Sequence, residues 1–583
     1  MREKQFQMLE MYKNILTQDN PKPFLYYYCF DEGKKVRVKS FTRKVFFSLI
    51  KRAACLLKKA GLEKQEKILH CFSMNDYTDC VFRHASTLTG TVPVTVNWQA
   101  DTPEKVLFKY KDSGARAVLV GEGCNQGYID IIKSNVPEAK FIYTYELQES
   151  DQLDEVSIID DISVDSIRVI VYTSGTTGIP KGVQQTYKNY ITNYNELFSL
   201  FGLQENDDIA AIIVNPLHHT NASAFIDTFF RKPDTCIHLM SRYSTQYWKV
   251  ICDITELEKG KKIIAPVVAK HFEFLTHLIT TGALPVPLEK LKHSMGNIDF
   301  VYGSAPAGPN AIKTMQEYAG KIPCVRYGST ETTLHVIGIP YFLDQETRLA
   351  NFQKGWNHEE NGEKAPGYYI GRAAAPYVEV KIVRSVDRNK QEYMKEVGSG
   401  QAGYIITRGG NVMSSYVNNP EGTAKVFDND WYLNLGDIAF YLINTKDGAK
   451  EIYWMNRDVG LMIKGGANYS CDQVSNELSH FLANKYNISF SSFFLAAIGL
   501  KVESESEDSC CVTIELITEE AIKKKQEIEE SFKPLAARYV SKGAKPDFFR
   551  FASVPRNFKG AILYNEMKKD FSDYLKQNPS RIN

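Results

Sequence analysis

Short apolar runs separated by stretches of helical periodicity constrain this chain most. Val169–Tyr172, Ile209–Val214, Lys262–Ala265 and Ile298–Tyr302 are each too short for a helix and are dominated by residues that favour strands. Strands this uniformly apolar are buried on both faces, as parallel sheets require, and the stretches between them have room for crossover helices. One such helix is expected over 40–61, where Val45, Leu49, Ala53, Leu56 and Leu57 recur at helical spacing and Gly61 provides a stop.

From about 375 the texture changes. Tyr377–Val383 alternates with period two, as do segments near Gly403 and Trp431, which predicts a smaller, mostly antiparallel β unit. Past Arg457 a last stretch of about 125 residues holds the strand Cys511–Ile517 and the charged helix Glu519–Phe532, whose lysines read as a solvated face. At 583 residues the chain is long enough for several domains.

The formal net charge of +1 argues against a nucleic-acid partner. Met1 to Gln5 has no apolar core of signal-peptide length behind it, and the runs Ile263–Ala269 and Phe493–Leu500 are far below the roughly 20 residues of a membrane span. Eleven cysteines without a Cys-x-x-Cys pair read as reduced, mostly buried thiols of a cytoplasmic protein, with no metal or disulfide role.

The strongest local signal is the run Tyr172, Thr173, Ser174, Gly175, Thr176, Thr177, Gly178, Ile179, Pro180, Lys181, Gly182. A buried strand leads into it. Its glycines allow tight turning and expose backbone N–H groups, its hydroxyls add donors and Lys181 adds a positive charge, a combination suited to a polyphosphate. The Walker pattern is absent. Composition alone equally allows a plain turn between a strand and a helix.

The whole run resembles the signature loop of the acyl-adenylate-forming superfamily, which includes acyl-CoA synthetases, peptide-synthetase adenylation domains and firefly luciferase. Further segments resemble that family in order along the chain. In Asn215 to His219, the final histidine corresponds to one beside the acid-binding pocket. Gly303, Ser304, Ala305 and Pro306 resemble the turn that packs on adenine. In Tyr327, Gly328, Ser329, Thr330 and Glu331, the resemblance implies an aromatic ring on the adenine, a threonine on phosphate and a glutamate holding Mg2+ together with Thr173. Trp431 to Asp437 resembles the motif whose aspartate accepts from both ribose hydroxyls, and Arg457 the arginine that also reaches the ribose and marks a hinge. Asp458, Gly465 and Gly466 fall at the family's hinge and coenzyme A loop, although Asn456, Ala467, Cys471 and Gln473 depart from its usual residues.

The resemblance implies an α/β fold: a large N-terminal domain (1–457) of two doubly wound α/β subdomains plus a small β barrel, and a small, mobile α+β C-terminal domain (458–583). It implies an enzyme that joins a carboxylic acid to AMP using ATP and Mg2+, then passes the acyl group to coenzyme A, or alternatively to a separate carrier protein. The small residues Thr220 to Ala224, and the lack of the paired tryptophans familiar from acetyl-CoA synthetases, point to an acid larger than acetate.

One family position is missing. Relatives carry a lysine near the C-terminus that bridges the acid carboxylate and the α-phosphate, and here Ala561 stands in its place. Three readings stay open: a substitution introduced to trap a complex, Lys559 supplying the charge from the same strand face, or a nucleotide-binding pseudoenzyme.

Overall fold

The computed structural model describes residues 20–30, 35–149, 162–173, 180–304, 307–360, 362–433, 435–457, 461–464, 467–505, 507–556 and 562–579. Two α/β sheets dominate. In the first, strands Val92–Thr95, Lys67–Cys71, Ala115–Val120 and Lys140–Tyr143 run parallel beside Ile167–Thr173. The phosphate-loop run does not lead from strand to helix. Ile167–Thr173 turns back into the antiparallel strand Lys181–Thr186, with Thr173 and Lys181 as register partners, and the helix Tyr187–Phe201 starts only after it.

The second sheet opens with the hairpin Pro23–Phe30 and Val36–Thr42, then runs parallel through Thr235–Met240, Ile209–Ile213, Lys262–Val267, Ile298–Tyr302 and Cys324–Tyr327. The short strand Ile337–Gly338 joins it, antiparallel, to the β unit expected beyond 375, in which Tyr368–Ala373, Lys450–Arg457, Asp437–Ile443 and Gly403–Gly409 are neighbours.

The first predicted helix is shorter and rotated relative to its sequence reading. It spans Arg43–Lys59, capped by the Thr42 hydroxyl, which accepts from the Val45 N–H at 3.3 Å. Ser40 belongs to the preceding strand, because the backbone of 36–42 pairs with Pro23–Phe30. The buried stripe is Phe46, Ile50, Ala53 and Leu57, and Val45 is 51% exposed. The wide apolar face allowed two stripes, and the one carrying the bulkier Phe46 won because it removes more apolar surface from water.

The charged helix is also divided, into Glu519–Lys523 and Lys525–Tyr539, with Ile528, Phe532 and Ala536 buried. These side chains belong to a second core made only of residues between Met462 and Leu575. Its sheet pairs Phe493–Leu500 and Ser509–Leu516 antiparallel and Phe548–Phe551 parallel. A large N-terminal α/β domain is thus followed by a smaller C-terminal one. Among the described residues no helix is long and apolar enough to cross a membrane.

Candidate active site

A cavity of about 830 Å3 opens where the parallel strands of the second sheet end, the usual ligand position in α/β sheets. Thr173, Lys181, His219, Ser304, Tyr327, Gly328, Thr330 and Glu331 all line it. Ser304 follows Ile298–Tyr302 and Tyr327 ends Cys324–Tyr327, so each strand delivers its motif to the cavity rim. Gly303 lies just behind, against the Arg326 guanidinium. Ser174, Gly175, Thr176, Thr177, Gly178, Ala305, Asp458, Gly465, Gly466, Lys559 and Ala561 lie outside the described residues.

The turn after Tyr327 is held tightly. A Cβ on Gly328 would fall 2.3 Å from the Leu334 carbonyl oxygen, so only glycine fits. The Ser329 N–H donates to Thr332 Oγ1 at 2.8 Å, and buried Gln185 donates to the Thr330 carbonyl at 2.7 Å. Thr330 is thereby fixed to the strand that carries Lys181.

Asp437 is buried at the start of its strand, behind the cavity wall formed by Gly436 and Tyr327. Its Oδ2 accepts from the Tyr327 hydroxyl and its Oδ1 from the Trp454 indole N–H at 2.8 Å. Arg457 is its register partner on the neighbouring strand. A carboxylate has about four lone-pair sites and can accept from several donors at once.

Glu331 and Lys181 meet through a residue that carries no motif. Tyr416 donates its hydroxyl to Glu331 Oε1 at 3.1 Å, and the Lys181 ammonium lies 5.2 Å from the Tyr416 ring centre. Tyr416 comes from the edge strand Ser415–Tyr416, which pairs with Lys181–Thr186. Nothing in its sequence surroundings marks it, because the association depends on strand pairing across more than 230 positions. Sequence reasoning missed Tyr416, Trp454 and Gln185 for the same reason. The oxygen donors Thr173 and Glu331 suit a hard cation such as Mg2+. They share the cavity with Lys181.

The two neighbouring histidines separate. His218 is buried, edge-on to Trp98 at 4.1 Å, and is not part of the cavity lining. His219 precedes the helix Thr220–Arg231 and lines the cavity. Burial, reinforced by the nearby Lys109 ammonium, lowers its pKa to about 4, so it is neutral near pH 7 and can hydrogen-bond without adding charge. The C-terminal domain supplies Lys464, Tyr469, Glu477, Glu507 and Lys542 to the same cavity. Its Ser504 donates to Glu273 of the N-terminal domain at 2.8 Å.

None of the eleven cysteines forms a disulfide. Cys236 joins His238 and Glu258 in a buried trio within metal-ligating reach of one another. None of the three lines the cavity. His238 Nε2 sits 3.0 Å from Glu258, its Nδ1 sits 2.9 Å from the Tyr28 hydroxyl, and Lys261 pairs with Glu258 at 2.9 Å.

The family model for AMP-binding enzymes matches residues 20–417, more than half of the chain. The chain belongs to the AMP-binding enzyme family. It is similar to a long-chain-fatty-acid–CoA ligase of Mycobacterium tuberculosis, with 24% identity over 532 residues, 90% of this chain and 92% of that one. The structure is similar to o-succinylbenzoate CoA synthetase of Bacillus subtilis. In a double mutant bound with a product analogue, the TM-score is 0.73 at 20% identity, covering 96% of this chain and 98% of the other. For the same enzyme in complex with its acyl-adenylate intermediate, the TM-score is 0.60 at 20% identity, covering 96% and 97%.

Proposed function

We propose that this chain is an AMP-forming acid–thiol ligase that activates a carboxylic acid with MgATP and transfers the acyl group to coenzyme A. The observation that carries the reading is the convergence of Tyr327 with Asp437, and of Lys181 with Glu331, around one cavity that also holds neutral His219. Tyr327 offers a face for the adenine, Asp437 acceptors for the ribose and Thr330 a hydroxyl for phosphate. Lys181 and the loop before it neutralise the polyphosphate. Thr173 and Glu331 would hold Mg2+, which would supply charge compensation for the pyrophosphate oxygens. His219, uncharged, packs against the acid without competing for its carboxylate.

In the first half-reaction a carboxylate oxygen attacks the α-phosphorus, forming acyl-AMP and releasing pyrophosphate. In the second, the thiol of coenzyme A attacks the acyl carbon and AMP leaves. We place the domain boundary near 457, supported by the separate core of 462–575. Rearrangement about that boundary would let one cavity serve both steps. Cysteines that form no disulfide, most of them buried, suit a reducing cytoplasm.

Ala561 favours a second reading, a nucleotide-binding protein that does not adenylate. The test is a panel of acids assayed for pyrophosphate, AMP and acyl-CoA, using the unaltered chain and Ala561→Lys. Acid-dependent pyrophosphate release followed by acyl-CoA supports the ligase. Acyl-AMP that is formed but never passed to coenzyme A points to a carrier protein. Nucleotide binding without pyrophosphate release from either protein supports the second reading.

A further inference from the structure

Arg326 is the penultimate residue of Cys324–Tyr327, directly before the aromatic residue of the adenine motif. It lines the cavity, yet the residue is only 5% exposed. Its Nη1 donates to the Leu334 carbonyl at 3.0 Å and its Nη2 to Asn221 Oδ1, and its buried Nε has no acceptor. The Phe225 ring lies 5.8 Å from the guanidinium carbon. No carboxylate among the described residues pairs with it, and burial lowers its pKa to about 9, which leaves it charged at neutral pH.

A buried cation without a counter-ion is unfavourable, and such charges are normally paired. The surroundings are built to keep this one at the cavity wall. A Cβ on Gly303 would sit 3.1–3.3 Å from three guanidinium atoms, so glycine makes room for it. Ser304 holds a left-handed backbone, φ +69°, at the same edge, a conformation that non-glycine residues keep where the surroundings enforce it. Asn221 accepts from Arg326 through its oxygen and donates from Nδ2 to Ser304 Oγ at 3.4 Å. Asn221 lies two residues after His219, which places Arg326 on the acid side of the cavity.

We infer that Arg326, with Asn221 and Ser304, forms an anion subsite within the acid pocket, and that the acid activated by this chain carries a second anionic group, of carboxylate type, on its tail. This rests on the cavity being the acid-activation site proposed above. The second carboxylate supplies the counter-ion the fold withholds. Arginine suits this role because its planar fork binds carboxylates through paired hydrogen bonds.

Matched pairs of acids test the inference: butanoate and succinate, hexanoate and adipate, octanoate and suberate, titrated calorimetrically into the full chain with a non-reactive ATP analogue. At least one diacid should bind about tenfold or more tightly than its monoacid partner, as expected for one charge-assisted hydrogen bond. Arg326→Gln should bring the pair to within about twofold while leaving affinity for the ATP analogue unchanged. Asn221→Asp, which supplies an internal counter-ion while keeping the guanidinium in place, should abolish the preference too. Equal binding of monoacid and diacid at every length by the unaltered chain overturns the subsite, whether or not the variants fold. So does Arg326→Gln weakening both acids equally, which marks a purely structural role, or weakening the ATP analogue, which assigns the guanidinium to the nucleotide. Diacid preference without pyrophosphate release from any acid would leave the subsite standing and remove the ligase reading. Pyrophosphate release without diacid preference would do the reverse.

Discussion

The Tyr327 hydroxyl donates to Oδ2 of Asp437 at 2.5 Å, so the residue assigned to adenine and the residue assigned to ribose are joined before any nucleotide arrives. The Trp454 N–H holds the other carboxylate oxygen. Asp437 is thus oriented by two donors from two strands, and an incoming ribose meets a preset acceptor.

Asp437→Ala should weaken ATP binding at least about tenfold, since charged hydrogen bonds are worth roughly 1.5–3 kcal/mol each. It should also destabilise the protein, because the buried Trp454 N–H loses its partner, at about 1–3 kcal/mol. Tyr327→Phe keeps both the carboxylate and the ring, and should change ATP affinity far less. Titration calorimetry and thermal unfolding on both variants check this. An unchanged ATP dissociation constant for Asp437→Ala would remove Asp437 from the ribose site.

Glu331→Gln should leave the fold intact and sharply cut Mg2+-dependent turnover. Tyr416→Phe provides a finer test. It removes the hydroxyl that orients Glu331 and retains the ring beside Lys181. The Mg2+ concentration for half-maximal rate should rise a few-fold, with the rate at saturating Mg2+ little changed. Initial rates across a Mg2+ series separate the outcomes. Full turnover by Glu331→Gln at limiting Mg2+ would count decisively against the metal assignment.

Much of the architecture was legible in the sequence because buried parallel strands leave short apolar runs, and Ile298–Tyr302 was placed to the residue. The phosphate loop was legible through its glycines and hydroxyls, but its exit into a strand was not. Lys181–Thr186 alternates weakly, and its pairing partners lie on both sides of it in space. Arg326 carries no legible signal, because a charged residue inside a strand does not reveal whether a carboxylate will face it. Tyr416 and Trp454 reach the site through pairings of distant strands, which no local pattern encodes.

Seven histidines, His70, His84, His218, His219, His238, His271 and His335, have pKa values lowered by burial and bear on pH dependence. Burial lowers the pKa values of His219 to about 4 and of His271 and His335 to about 3. In the unfolded chain each titrates near 6.5. Below that pH the unfolded state takes up protons that the folded state refuses, so stability falls with pH. The contribution is fully present above about pH 6.5 and is lost progressively towards the folded values. The urea midpoint should fall steadily between about pH 7 and pH 4, and His271→Gln should flatten part of that slope. A midpoint that holds level over this interval would show that these rings are solvated.

Ala561 sets the expected rate of the first half-reaction. Adenylation gathers negative charge between the acid carboxylate and the α-phosphate. A cation placed there stabilises the transition state more than the bound substrates, which is what accelerates a step. Losing one such preorganised donor typically costs about 10²–10³ in rate. The unaltered chain should therefore bind ATP and acid but release pyrophosphate slowly, and Ala561→Lys should raise that release by about 10²-fold or more. Transfer to coenzyme A should be much less affected, since the resemblance implies that the lysine has left the site by then, and acyl-AMP supplied ready-made should be consumed by the unaltered chain and by Ala561→Lys at similar rates. Should Lys559 replace the missing charge, the pattern inverts: the unaltered chain adenylates well, Lys559→Ala abolishes release, and Ala561→Lys adds little. Pyrophosphate release measured on the three proteins, with acyl-AMP consumption beside it, distinguishes the cases. Rapid release by the unaltered chain that survives Lys559→Ala would show that no basic residue of this segment drives adenylation.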